Sequence, residues 1–476
     1  MKTKLFFLLG LLLYCVNGFS QNQKIWTLQQ CIDYAYENNL QIRQQMLSSE
    51  TTKINAAQTK AAMLPSLNGS ATNVYNYGKT VDMYTNSFAT ERVRSNNFYL
   101  SSNVTIFNGF QKYNNMRANM LSYEASKWDL QKMKDDIALS IASAYLQILY
   151  SEEQVTTATS QSEITRQQIE RTQKLVDAGK INKQSLLELE AQLATEELSL
   201  VNAQNQLELA YLNLAQMLDL SDTKDFKIEK PIIPVNPDET FKNLNPGVIF
   251  EKAVSSQPSI KSAELKLQSS TMSFNATRGM RSPTLSMQGS IGTGYSGASK
   301  QLSGFTLSGY DTIGFTSATF EPVVAPSFQY DYKNIPFKDQ FNDNVNKSFG
   351  FYLSIPIFNG WQTKTAVSRS KISMMMAELN LATVRNQLNK DIQQAYADVK
   401  AAYNKYNATL KSVNALETSF NFINERYTLN MLTTIEFNDS KNKLDKSKSD
   451  LLQAKYEFVF RLKILDFYQG KQLTIN

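Results

Sequence analysis

The chain has no histidine among its 476 residues. Without imidazole there is no His-based general acid or base, no Ser-His-Asp or Cys-His nucleophile system, and little from which to assemble a zinc site. No glycine-rich loop opens a helix, so phosphate-cradling chemistry is also missing. Carboxylates do occur side by side, as Asp135-Asp136 and Glu196-Glu197. Both pairs fall within helical stretches of mixed charge, where a solvated face is the expected reading. Lys441, Lys443, Lys446 and Lys448, mixed with Asp445 and Asp450, read as a solvated face too. The expectation is a protein that performs no bond chemistry and needs no cofactor or metal.

The side chains that recur at fixed spacing carry more information. Ile106-Phe107-Asn108-Gly109 returns as Ile357-Phe358-Asn359-Gly360, an offset of 357 − 106 = 251. The same offset carries Ile141, Ile148, Val155, Ser162, Ile169 and Val176 onto Ile392, Val399, Tyr406, Val413, Phe420 and Tyr427. It also carries Leu186, Leu193, Leu200, Leu207 and Leu214 onto Phe437, Leu444, Leu451, Phe458 and Leu465. A turn motif and two heptad ladders sharing one offset imply a duplicated unit of strand, turn and two long helices. An earlier, shorter helix opens each copy at an offset of 253 − 35 = 218, with Ala35 to Ile42 matching Ala253 to Ile260. Thr27-Leu28-Gln29-Gln30 before the first of these reads as a capping box.

Glycine and proline confine the long helices. Neither occurs from Trp361 to Gln469, and Gly179 is the only glycine between Gly109 and Gly247. Each costs a helix interior about 1 kcal/mol (Gly) to 3 kcal/mol (Pro). The predicted helices cover about 110–178 and 183–220 in the first copy and about 361–428 and 433–468 in the second. One spanning 110–178 reaches roughly 100 Å, the scale of a coiled-coil-like bundle. Gly179 sits at the reversal in the first copy and Asn430 at the matching point of the second, both tolerant of left-handed backbone.

Period-two alternation marks four strands, at about 65–77, 97–108, 283–295 and 347–358. Each is near the length of a tilted membrane-spanning strand. The connections 78–96 and 296–346 are polar and aromatic, and the second copy carries 251 − 218 = 33 extra residues before its last strand. Phe-Asn-Gly ends a strand and starts a helix in both copies. Asn108 and Asn359 are placed to cap the helix, Gly109 and Gly360 to relax the turn, and Phe107, Phe110, Phe358 and Trp361 to lie at a membrane interface.

The ends and the charge agree with an envelope location. Lys2 and Lys4 precede the apolar run Leu5 to Val16, and Gly18-Phe19-Ser20 supplies a cleavage site, so 1–20 reads as a signal peptide. Tyr14 is too bulky for the small residue expected before a lipidated Cys15. Cleavage leaves Cys31 alone, hence no intramolecular disulfide. It lowers the formal charge from +6 to +4 (6 − 2), and basic residues interleaved with acidic ones give no nucleic-acid signal. The first repeat then occupies 21–230, a proline-containing linker 231–247, the second repeat 248–470 and a tail 471–476.

Taken together, these features resemble the TolC family of outer-membrane efflux and secretion channels. The resemblance implies a mainly α fold with a membrane β-barrel portion: a homotrimer whose protomers each give four strands to a 12-stranded barrel and long antiparallel helices to a periplasmic tunnel. It implies a passive exit duct for small molecules, metals or polypeptide, with a periplasmic adaptor and, indirectly, an inner-membrane pump as partners beside outer-membrane lipid. It also implies a periplasmic gate at the helix turns, with Glu436 and Asp439 as an acidic ring and Tyr427 as the constriction residue. Leu432 and Ser185 stand where the family has an arginine and an acid, departures that count against an ionic latch of the family's kind and leave closure by charge or by hydrophobic contact both open. The competing reading is a periplasmic coiled-coil adaptor, which gives no reason for four alternating strands. An envelope hydrolase lacks its titratable groups.

Overall fold

The computed structural model describes residues 25–89, 92–220, 226–231, 245–429 and 431–471. The expected signal peptide with Cys15, most of the linker, Asn430 and the last five residues lie outside the described residues.

The described helices are α1 (Leu28–Asn38), α2 (Leu40–Ala61), α3 (Gln111–Asp177), α4 (Lys183–Met217), α5 (Pro246–Ser256), α6 (Pro258–Gly279), α7 (Phe337–Asp343), α8 (Gln362–Thr428) and α9 (Thr434–Tyr468). The strands are β1 (Ile25–Trp26), β2 (Ser66–Asn76), β3 (Thr80–Val81), β4 (Phe88–Ala89), β5 (Val93–Phe107), β6 (Lys227–Ile228), β7 (Thr284–Ser296), β8 (Lys300–Phe315), β9 (Pro322–Asn334) and β10 (Asn346–Ser354). No described helix is long and apolar enough to cross a membrane.

Two compact units cut across the repeats. The helical unit comprises Met1–Lys53, Leu121–Leu267 and Met376–Asn476. It contains one core built twice. In the first copy Cys31, Ala35 and Ile42 pack with Ile141, Tyr145 and Ile148. In the second Ile249, Ala253 and Ile260 pack with Leu388, Ile392 and Val399. The ladder residues Leu186, Leu214, Phe437, Leu444, Phe458 and Leu465 are all buried, as a period of 3.5 requires of a seam. The Thr27 capping box forms, with Thr27 Oγ1 accepting from the Gln30 amide and Gln30 Oε1 accepting from the Thr27 amide, both at 3.1 Å. The end of the first repeat returns to the start of the fold: β6 pairs in parallel with β1, and the Tyr145 hydroxyl donates to the Glu229 carbonyl at 2.6 Å. Burial pushes the Cys31 thiol up to about 12, so this cysteine is an inert core residue.

The sheet unit comprises Ile54–Met120 and Gln268–Met375. Its four-stranded antiparallel sheet has the order β10-β7-β5-β2. Each copy contributes one edge and one interior strand, and β5 joins β7 across the copies. The register gives the sheet two unlike faces. On one lie Leu67, Ala71, Phe98, Leu100, Met287, Ile291, Phe349, Phe351 and Leu353; on the other lie Asn68, Ser101, Asn103, Gln288, Ser290, Ser348 and Ser354. No charged residue occupies the polar face between Ser66 and Thr72 or between Tyr99 and Thr105.

The strand ends differ from the alternation pattern. β5 begins at Val93, inside the expected connection, and bulges between Thr105 and Phe107. β10 stops at Ser354 and does not run to Phe358. Pro356 has no N–H to donate to a ladder, so only the first Phe-Asn-Gly directly follows a strand. The connection 296–346 is not an irregular loop. It holds a β8–β9 hairpin and α7, while β3 and β4 form a small ribbon within 78–96.

Candidate functional site

At the turn of the first long pair, Gly179 takes φ +69°. The Lys180 amide donates to the Leu175 carbonyl at 2.9 Å and the Gly179 amide to Val176 at 2.8 Å, the double bond of a Schellman termination. Asn182 Oδ1 then caps α4 through the Gln184 amide at 3.2 Å. In the second copy the Met431 amide donates to the Arg426 carbonyl at 2.9 Å. Since 431 − 180 and 426 − 175 both equal 251, α8 ends with the same long bond, around a residue (Asn430) outside the described set.

The three residues expected at the gate have specific partners. Tyr427 is half-buried and stacks on the buried Phe437 ring at 4.5 Å and 26°. It lines a cavity of about 380 Å³ with Arg171, Thr172, Leu175, Asn424 and Thr433. Glu436 closes a capping box: Thr433 Oγ1 accepts from the Glu436 amide at 3.3 Å, and Glu436 Oε2 accepts from the Thr433 amide at 2.9 Å. Hydrogen bonds from the Thr433 amide and hydroxyl hold its carboxyl below the usual range. Thr433-Thr434-Ile435-Glu436 has the sequence signature of that box, so this cap was legible in the chain. Asp439 pairs with Lys443 at 2.6 Å on an exposed surface, a contact of about 0.3–0.5 kcal/mol.

Glu196 and Lys441 are not on solvated faces. Their side chains are 8% and 4% exposed, and they form an ion pair of 2.9 Å between α4 and α9. Lys441 Nζ also donates to the Thr165 hydroxyl at 2.6 Å and the Gln161 carbonyl at 3.2 Å on α3. All three ammonium protons are therefore used. Glu196 Oε1 accepts further from Gln192 at 2.9 Å, while Oε2 is buried with no hydrogen-bond partner among the described residues. Glu196 lies on the seam because it stands seven residues after Leu189 and seven before Ala203. Lys441 lies between the buried Phe437 and Leu444, one helical turn from either. Of the two acidic pairs, Asp135-Asp136 is tied to its own helix, with Asp135 accepting from Gln131 at 2.8 Å and Asp136 from Lys132 at 2.5 Å.

Asp445 borders this polar layer, and burial raises its carboxyl above the usual range. A raised folded value favours the protonated acid: its contribution to stability is full below the unfolded pKa and is lost as pH rises through the folded one. Asp445→Asn is expected to stabilise the helical unit near pH 7 and to leave it unchanged under acid. Thermal unfolding of both proteins across pH checks this.

The Phe-Asn-Gly junctions belong to the sheet unit. Gly109 and Phe110 both adopt left-handed backbone (φ +63° and +61°), as do Gly360 and Trp361 (+60° and +66°). A bulky residue in that conformation costs on the order of 1–3 kcal/mol, so the turn is held by its surroundings. Asn108 and Asn359 accept from the Lys112 and Thr363 amides at 3.5 and 3.4 Å, long bonds for a cap. Their backbone carbonyls receive the Gln111 and Gln362 amides at 3.3 and 3.2 Å. Phe107 packs edge-to-face on Phe110 at 5.7 Å, and Lys364 lies 3.5 Å above the Trp361 ring. Phe358 is 78% exposed. The two glycines differ in surroundings: a Cβ on Gly109 would meet the Gly279 carbonyl oxygen at 2.5 Å, whereas one on Gly360 meets nothing within 4 Å among the described residues. Gly109→Ala is therefore expected to destabilise the isolated chain more than Gly360→Ala, as read by yield of refolded protein and its resistance to protease.

Known proteins share this fold. The profile described as "Outer membrane efflux protein" matches residues 31–219 and 249–468, one segment per copy. Outer membrane protein TolC of Escherichia coli (strain K12) is 22% identical over 469 residues, covering 96% of this chain and 84% of that protein. Outer membrane efflux protein BepC of Brucella suis biovar 1 (strain 1330) is 20% identical over 437 residues, covering 91% and 83%. Among solved structures, the outer membrane protein VceC of Vibrio cholerae superposes with a TM-score of 0.74 at 15% identity, over 94% of this chain and 96% of that one.

Proposed function

We propose a function from one premise: this chain belongs to the outer membrane efflux protein family. It is an outer-membrane protein with a helical periplasmic part, and its general role is efflux. The finer reading is a passive exit duct. Three protomers would close one barrel from their four-stranded sheets, and the long helices would line a tunnel. The duct would dock on a periplasmic adaptor, and the energy would come from an inner-membrane pump.

The observation that carries this reading is the open sheet. It has one apolar face, one uncharged polar face, and edge strands β2 and β10 whose outer sides pair with no described strand. Four strands cannot enclose a lumen, since barrels start at about eight. Unpaired edges cannot stay exposed in hydrocarbon. Further copies of the same sheet satisfy both demands, with the apolar face toward lipid and the polar face toward the pore. The exposed Phe107, Phe110, Phe358 and Trp361 would then mark the periplasmic-side interface of the outer membrane.

Tyr427, Glu436 and Asp439 are the gate residues of this proposal. A threefold set of the two carboxylates would attract divalent cations and disfavour anions. Glu436 also caps α9, so an alanine there would remove two functions at once. Glutamine retains the cap. Glu436→Gln combined with Asp439→Asn is expected to abolish block by divalent cations in planar bilayers while leaving the protein assembled. Unchanged block in that variant rejects the acidic ring.

A further inference from the structure

The β8–β9 hairpin forms a sheet of its own in the sheet unit, and its two faces are chemically opposite. Leu302 stands opposite Tyr332, Phe305 opposite Tyr330, Leu307 opposite Phe328, and Tyr310 opposite Pro326. These pairs share one face. The reverse face takes Gln301 with Lys333, Gly304 with Asp331, Thr306 with Gln329, and Asp311 with Ala325. Every charge between Leu302 and Phe315, and between Pro322 and Lys333, is on the reverse face.

This segregation is built by irregularity. The apolar residues of β8 do not follow a period of two, and three register shifts, at Leu302/Gly304, Leu307/Gly309 and Thr312/Gly314, bring them into phase. Each shift leaves one extra residue on β8, as a bulge does. Two of the extra residues are fixed across the ribbon: Ser303 Oγ donates to the Asp331 carbonyl at 3.1 Å and Ser308 Oγ to the Ser327 carbonyl at 2.9 Å. The resulting apolar face is not covered by any described residue, with Phe305 and Tyr332 each 61% exposed. A contiguous patch of this kind marks an interaction surface, and a lone two-stranded ribbon needs support from elsewhere to be stable in water.

The root of the hairpin indicates the occupant. After β9 the chain runs directly into α7, which packs on the apolar face of the four-stranded sheet. Phe341 and Phe337 lie 5.6 and 6.3 Å from the Phe98 ring, and Phe337 lies 5.6 Å from Tyr295. Buried Gln340 locks the junction, donating to the Ser296 and Ile335 carbonyls at 3.0 and 2.8 Å and accepting from the Ser296 amide at 3.0 Å. The apolar hairpin face is thus continuous in sequence with the face that an outer-membrane sheet turns to lipid. Tyr310, Tyr330 and Tyr332 suit the water–lipid boundary, where amphipathic rings are enriched. The free backbone groups on both outer edges forbid immersion in hydrocarbon.

We propose that the apolar face of the β8–β9 hairpin is a lipid-binding surface, lying at the headgroup–acyl boundary of the outer membrane with its charged reverse face in water. The test uses the full-length protein in vesicles of phosphatidylethanolamine and phosphatidylglycerol carrying brominated acyl chains. In a Cys15→Ser background, with Cys31 buried and unreactive, an environment-sensitive dye is attached to Leu307→Cys or to Thr306→Cys. Bromolipid is expected to quench the dye at 307 several-fold more than the dye at 306, and aqueous iodide to show the opposite order. Equal access of iodide to both positions would mean that the face is in water and would overturn the proposal. A dye at 307 shielded from both quenchers would mean that a second copy of the chain covers the face, and would overturn it equally. Phe328→Cys and Gln329→Cys repeat the comparison on β9, so a folding defect in one variant does not decide the result.

Discussion

A chain carrying Ser70→Cys and Ser354→Cys is expected to run, once oxidised, as a covalent trimer on a non-reducing gel, and either single variant as a monomer. The expectation comes from the internal repeat. Within one chain the interior strands of the two copies pair Asn103 of β5 with Gln288 of β7. Adding 251 to the first and subtracting 218 from the second gives Ser354 on β10 and Ser70 on β2, the two edges. If one copy of the chain meets the next as its own halves meet, these serines stand opposite each other between protomers.

The same offsets set Leu353 opposite Ala71, Phe351 opposite Asn73 and Phe349 opposite Tyr75 on the apolar face. On β10 the apolar face presents Phe349, Phe351 and Leu353, all strongly exposed. Across the sheet, β2 presents Gly69 and Ala71, which with Phe98, Leu100, Ile291 and Phe341 line an apolar cavity of about 510 Å³. Leu353 against Ala71 is a large–small contact that interdigitates, and Phe349 against Tyr75 is a cross-strand aromatic pair. Serine and cysteine are nearly isosteric and both sites are on the polar face, so folding is little disturbed. Moving one cysteine by two residues, as in Ser70→Cys with Tyr352→Cys, is expected to abolish the cross-link, because directly opposed Cβ atoms are within disulfide reach and diagonal ones are not. A cross-link that ignores this shift would refute the register.

The second large effect is expected at the buried pair. Lys441→Met leaves the Glu196 carboxylate buried without its ammonium, and a broken buried pair costs about 3–5 kcal/mol. Since Lys441 also holds Gln161 and Thr165, the loss should loosen α9 from both α3 and α4. The measurement is hydrogen exchange of α9 amides in the assembled protein, with limited proteolysis near the helix turns as a second reading. Glu196→Leu together with Lys441→Met should restore protection, and such apolar replacements are often neutral or stabilising by about 1–4 kcal/mol. A single Lys441→Met variant that exchanges like the parent would show that the pair contributes nothing to holding these helices.

Much of this architecture is readable in the chain. The ladders at Leu186 and Phe437 named core residues because a heptad places them on one stripe of a helix. Gly179 named its own turn because few residues tolerate that backbone. The polar layer was half-legible: Glu196 stands in its ladder between Leu189 and Ala203, and a charge on a seam demands a partner. Composition alone suggested a solvated face, and Lys441, 245 residues away in sequence, is brought to it only by the packing of α9 against α3 and α4. The hairpin was less legible still, since its bulges break the period of two that reveals a strand.

By itself the sequence determined the duplication, the long helices, the strand faces and the family, because these rest on periodicities and breakers acting within a few turns or residues. Only the tertiary structure decided that β5 joins β7 and leaves β2 and β10 open, that Glu196 meets Lys441, and that the insertion folds into a two-faced ribbon. Those outcomes depend on which distant surfaces pack and on where the resulting register puts each side chain, and no local pattern carries that information.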